Sequence, residues 1–185
     1  MLELSRKIDY RALRVRELII SGEVGIEEDV ELRERESYFA EVYAGEAEAL
    51  CAAMLDAAHR EDNWSEGVGA ALRTLLEFAA ERPAVADALF REVYVVGGPA
   101  LIKREEVVSR LTAALEGSCE GSEDEMIVVP RPARFIVGAV EGVIAGHLSR
   151  GQAERLPCIC PELTRFVFAA LRGIEVAAEE LPADA

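Results

Sequence analysis

Residues 132–148 read PARFIVGAVEGVIAGHL, and this stretch restricts what the chain can become. It is apolar enough for a core helix, yet Gly138, Gly142, Ala145 and Gly146 recur at spacings of three and four. Residues so spaced share one face of a helix. The face is nearly bare, so the backbone of a second helix can approach it closely. Each glycine costs a helix roughly 1 kcal/mol relative to alanine, a cost that packing has to offset. Tight packing inside one subunit and contact between two subunits both fit the pattern.

The rest of the chain fits a helical reading. Of 185 residues, 51% are hydrophobic and only 6% aromatic, and alternation of strand type is scarce. The length suits one domain with a substantial core, or a small domain joined to a medium one. The net charge of −15 argues against general affinity for nucleic acid or anionic lipid, which needs basic residues. It leaves room for DNA contact by a small basic element. No stretch reads as a membrane span, and the opening MLELSRKIDY carries no hydrophobic signal core. The expectation is a cytoplasmic protein with reduced thiols at Cys51, Cys119, Cys158 and Cys160. Cys158 and Cys160 are too close for the usual zinc pair, and His59 and His147 stand at no ligand spacing from them. Isolated buried or half-buried thiols are expected, with no metal and no cofactor.

Taken in order, residues 5–21 predict an amphipathic helix, with Ile8, Ala12, Val15 and Ile19 on one face and Lys7, Arg11 and Arg14 on another. Gly22 suits its C-terminal cap. Residues 23–36 carry seven acids against Arg33 and Arg35, and a helix can start near Glu27. Gly45 marks a break before a helix from Glu46 to His59. Asn63 suits the cap of the next helix, Trp64 to Glu81, whose inner face is Val68, Leu72, Leu75, Phe78 and Ala79. Pro83 suits the first turn of a segment running to Val96, with Leu89, Phe90 and Val93 inward. Gly97-Gly98-Pro99 signals a turn, Ala100 to Leu115 another helix, and 117–125 an acidic loop. After the helix at 132–148, residues 156–161 read as a turn. A last helix buries Leu163, Phe166, Val167, Ala170 and Leu171, and a short turn and a disordered tail complete the expected chain. The sum is an all-α protein of about eight or nine helices. No nucleophile–base pair, phosphate loop or metal quartet stands out, so an enzyme is not expected.

From Phe39 onward the chain resembles the ligand-binding and dimerisation part of TetR-type transcriptional regulators. Phe39 with Tyr43, then AGEAEAL, resembles the close of the DNA-binding domain and the start of the long connecting helix. AAMLDAAHR resembles the continuation of that helix. WSEGVGAALRTLLEFAAERPAVADALFREV resembles the family's tryptophan-led helix, its proline turn and the helix after it. VGAVEGVIAGHL and LPCICPELTRFVFAALRG resemble the final pair of long helices. The resemblance implies a helical bundle whose last two helices pair with a second copy as a four-helix bundle. Gly138, Gly142, Ala145, Gly146, Leu163, Phe166, Val167 and Ala170 would lie at that homodimer contact. It divides the chain into a DNA-binding region, 1–45, and a ligand-binding and dimerisation domain, 46–180.

The front departs from the family pattern. Glu31-Leu32-Arg33-Glu34 stands where the helix-turn-helix turn belongs, and Arg33 to Ser37 stands in place of the recognition helix. Two functions follow. One is a small-molecule-responsive regulator in which Lys7, Arg11 and Arg14 contact operator DNA. The other is a regulator-derived protein that binds ligand and dimerises without reading DNA by itself. The implied ligand is apolar or aromatic. Met54, Phe78, Phe90, Tyr94 and Phe135 are candidates for its pocket wall, with Arg73 and Glu141 as polar contacts.

Overall fold

The computed structural model describes residues 26–96, 98–117 and 132–180. Among these the chain is all helical, with six helices and one 3-10 segment. α1 is Ile26–His59, α2 is Trp64–Glu81, and α3 covers 83–96. α4 is Gly98–Gly117, α5 is Pro132–Ser149 and α6 is Cys160–Glu180. The 3-10 segment Ala153–Ile159 joins α5 to α6. The helix expected at 5–21 and the acidic loop after Gly117 lie outside the described residues.

α1 runs 34 residues without interruption, so the break expected at Gly45 is absent. Gly45 is exposed, and a Cβ there would meet nothing within 4 Å. One exposed glycine costs about 1 kcal/mol, too little to stop a helix flanked by alanine, glutamate and leucine. α2 begins where the sequence places it, because the Asn63 side chain accepts from the Glu66 backbone N–H at 2.9 Å. α3 starts with Pro83 in its first turn. Its middle, Ala88–Glu92, widens into a π-helical turn that nothing in the sequence announces. The expected turn at 156–161 is the 3-10 segment, and α6 runs on to Glu180 in place of a short turn and tail.

α1 packs against α2 and α4, α2 against α6 and the 3-10 segment, and α5 against α4 and α6. The α1–α2 crossing is close: a Cβ on Gly67 would sit 3.0 Å from the Ala58 carbonyl oxygen. The core centres on Leu76, Val93, Ile144 and Leu156, all fully buried. Leu76 was not among the expected inner residues of α2, whereas Leu72, Leu75 and Ala79 are buried as expected and Val68 and Phe78 are half-buried. Arginines tie helices together at the rim, with Arg82 on Glu46 at 2.8 Å and Arg110 gripping Glu48 through two bonds of 2.7 and 2.8 Å. Among the described residues no helix is long and apolar enough to cross a membrane.

Candidate functional site: a cavity between α1, α2, α4 and α5

The helices enclose a cavity of about 420 Å³. α1 contributes Tyr43, Ala47, Leu50, Cys51 and Met54 to its wall, one residue per turn or nearly so. α2 adds Trp64, Val68, Leu72 and Leu75, and the π-helical turn of α3 adds Leu89 and Phe90. α4 supplies Arg104, Val107, Val108 and Leu111, α5 supplies Ile136, Val140 and Glu141, and α6 reaches in with Val167. The volume falls within the range of small-molecule sites, and so does the make-up, an apolar wall with a few polar groups.

The polar groups gather at one end. Arg104 on α4 is ion-paired and hydrogen-bonded to Glu141 on α5, with the two side chains only 16% and 17% exposed. The Arg104 guanidinium also lies 4.8 Å from the centre of the Tyr94 ring. Tyr43, itself buried, stacks on Phe39 at 6.3 Å. Burial raises the Glu141 carboxyl above its ordinary range, against the opposing pull of Arg104. Burial, then the Glu141 charge, pushes the Tyr43 phenol well above the usual tyrosine value. Burial also raises the Cys51 thiol. A desolvated neutral ion pair, a neutral phenol and a neutral thiol therefore face one apolar space.

Of the expected wall residues, Met54 and Phe90 line the cavity, and so does the proposed polar contact Glu141. Phe78, Tyr94, Phe135 and Arg73 do not. Phe78 packs beside the core under the Arg82 guanidinium, 5.0 Å from its ring centre. Tyr94 is 54% exposed and meets the site at Arg104. Phe135 is 77% exposed, because its neighbour Ile136 takes the inward position on α5. Arg73 points to solvent. Sequence reasoning missed Tyr43 and Arg104. Glu141 alone in an apolar helix was a signal that a cationic partner existed, but Arg104 stands in the run Lys-Arg-Glu-Glu and reads there as a solvated face.

The residues expected at a subunit contact divide. Gly138 and Gly142 are exposed, and an added Cβ at either would meet nothing within 4 Å. Ala145 and Gly146 are half-buried, with Arg150 3.5 Å from a Cβ at Gly146. Phe166 is 44% exposed and Ala170 half-buried. Leu163 and Val167 are buried inside the protomer, at 6% and 2% exposure. Their side chains serve the core, since the inward stripe of α6 falls on 160, 163 and 167. Lys7, Arg11 and Arg14 lie outside the described residues. Cys51 and Cys160 are buried free thiols, while Cys158 is exposed and not half-buried; Cys119 lies outside the described residues. Among the described residues no group of three or more His, Cys, Asp or Glu could hold a metal ion.

No family model, no curated protein and no solved structure matches this chain.

Proposed function

We propose that this chain is a TetR-like transcriptional regulator that responds to a small molecule. Residues 46–180 form the ligand-binding and dimerisation domain, working as a homodimer. The observation that carries the reading is the cavity: about 420 Å³ of apolar space with a desolvated ion pair at one end. α1 supplies the lever. It lines the cavity from Tyr43 to His59 and continues to Ile26 without a break. At 1.5 Å per residue it spans about 50 Å, so a small tilt at the cavity becomes a larger displacement at its far end. A ligand shifts that equilibrium only as far as it binds the two positions of α1 with different affinity. The outward side of α5, with Phe135, Gly138 and Gly142 exposed, supports pairing with a second copy.

A second reading has its own observation. Within 26–59 there is no turn, and reading a major groove with a helix-turn-helix needs one. The seven acids of residues 23–36 would also face phosphates. In this reading the chain is regulator-derived, binds ligand and dimerises, and has lost autonomous DNA binding. The test is fluorescence anisotropy on duplex fragments from the gene's own upstream region, across a salt series. Saturable binding to one fragment that weakens steeply with salt supports the regulator. A dimer that binds no fragment at low salt supports the second reading.

A further inference from the structure

The cavity's charges select among ligands. Four of its wall residues are exposed, namely His59 at the end of α1 and Glu61, Asp62 and Asn63 in the α1–α2 turn. The cavity therefore meets solvent there. Glu61 and Asp62 place two carboxylates at this mouth, while Arg60 between helix and turn is not part of the wall. The Asn63 carboxamide oxygen already accepts from the Ser65 hydroxyl and the Glu66 backbone N–H. At the inner end, the Arg104 charge is matched by Glu141. Counting Lys, Arg, Asp and Glu in the wall leaves three acids against one base, with both unmatched charges at the mouth.

Within the wall an anionic ligand meets no unpaired lysine or arginine. To reach Arg104 it would displace Glu141 and leave a carboxylate 17% exposed without its partner. A cationic head held at the mouth gains two carboxylates and disturbs nothing inside, while an apolar body fills the space between Leu50, Met54, Leu72 and Ile136. We propose that the cavity takes lipophilic cations, with the apolar body inside and the charged head beside Glu61 and Asp62, and rejects anions of the same shape. This rests on the reading that the cavity is a ligand site.

Three probes sharing one decyl chain test it: decyltrimethylammonium, decanol and decanoate. Trp64 is the only tryptophan and stands in the wall, so its emission reports occupancy directly, with titration calorimetry as a second readout. The expected result is cation binding roughly tenfold tighter than decanoate, the combined effect of two partly screened charge contacts. The double substitution Glu61→Gln, Asp62→Asn should bring the two within about twofold and leave decanol unchanged. Glu154→Gln with Glu162→Gln removes the same charge from exposed positions outside the wall and should leave the preference intact. Decanoate binding as tightly as the cation overturns the inference. So does a preference that survives neutralising the mouth, or one that the remote pair abolishes equally. If decanol binds without any preference between the charged probes, only the selectivity is wrong. If none of the three binds, the ligand-site reading falls and the selectivity with it.

Discussion

Arg104 and Glu141, 37 residues apart in sequence, meet as an ion pair that fastens α4 to α5 at the inner end of the cavity. Each side chain is more than four-fifths buried. Removing one partner strands the other in a poorly solvated place. Arg104→Met and Glu141→Leu should each cost about 2–3 kcal/mol of unfolding free energy, somewhat below the figure for a fully buried pair. The double substitution should cost less than either single one, because two well-packed apolar groups leave no charge behind. Urea unfolding followed through Trp64 measures all four corners of the cycle. Strict additivity would mean that the pair does not interact.

The same glutamate gives stability a pH dependence of definite sign. Burial, the largest influence on Glu141, raises its carboxyl above the ordinary value of 4.5 in the folded protein. Between that value and the raised one, the folded state holds a proton that the unfolded chain has released. Stability from this group is full below the ordinary value and falls as pH rises through the raised one. Glu141→Gln lacks the titration. The stability of the parent minus that of Glu141→Gln should therefore decline as pH rises from the ordinary carboxyl value through the raised one. A difference that is flat with pH, or rises, contradicts the raised carboxyl.

Ala47 lies in the cavity wall at 5% exposure, so a longer side chain there grows into empty space. Ala47→Met should raise stability by about 1 kcal/mol through added apolar contact. It should also weaken decanol binding at least roughly tenfold, since the filled volume is the volume the ligand needs. Denaturation and Trp64 emission read the two effects on one sample. Loss of stability without loss of binding would place the ligand elsewhere.

Much of this helical frame is legible from residue types, and the cavity much less so. Asn63, Pro83 and the apolar spacing of α2 act over one or two turns, and their consequences appear where the sequence puts them. Gly45 is misread because its cost is local and small, while the helix around it runs on for 34 residues. Phe135 and Ile136 show a different limit. Both are large and apolar, and which one turns inward depends on the rotation of α5 against α4, a tertiary quantity. The π-helical turn at Ala88–Glu92 shifts the facing of the residues after it. That turn has no sequence mark, and Tyr94, expected in the wall, ends up outside it. Arg104 is hidden for a similar reason, since only the packing of α4 on α5 distinguishes it from its charged neighbours.

Two glycines make opposite predictions and test the packing on both sides of the protomer. Gly67 meets the α1 backbone, where a Cβ would stand 3.0 Å from the Ala58 carbonyl oxygen. Backbone cannot rotate away as a side chain can, so the helices must separate. Gly67→Ala should cost about 1–2 kcal/mol despite the better helix propensity of alanine. Gly142 has open space around it within the protomer. Gly142→Ala should therefore raise the stability of an isolated protomer by about 0.5–1 kcal/mol through propensity alone. If the bare side of α5 is the homodimer contact, Gly142→Leu will force the subunits apart and weaken dimerisation at least about tenfold in sedimentation velocity. The protomer itself should stay folded, with unchanged helical circular dichroism. A Gly142→Leu protein that dimerises as tightly as its parent would remove this side of α5 from the interface, leaving the exposed Phe166 side of α6 to be tested next.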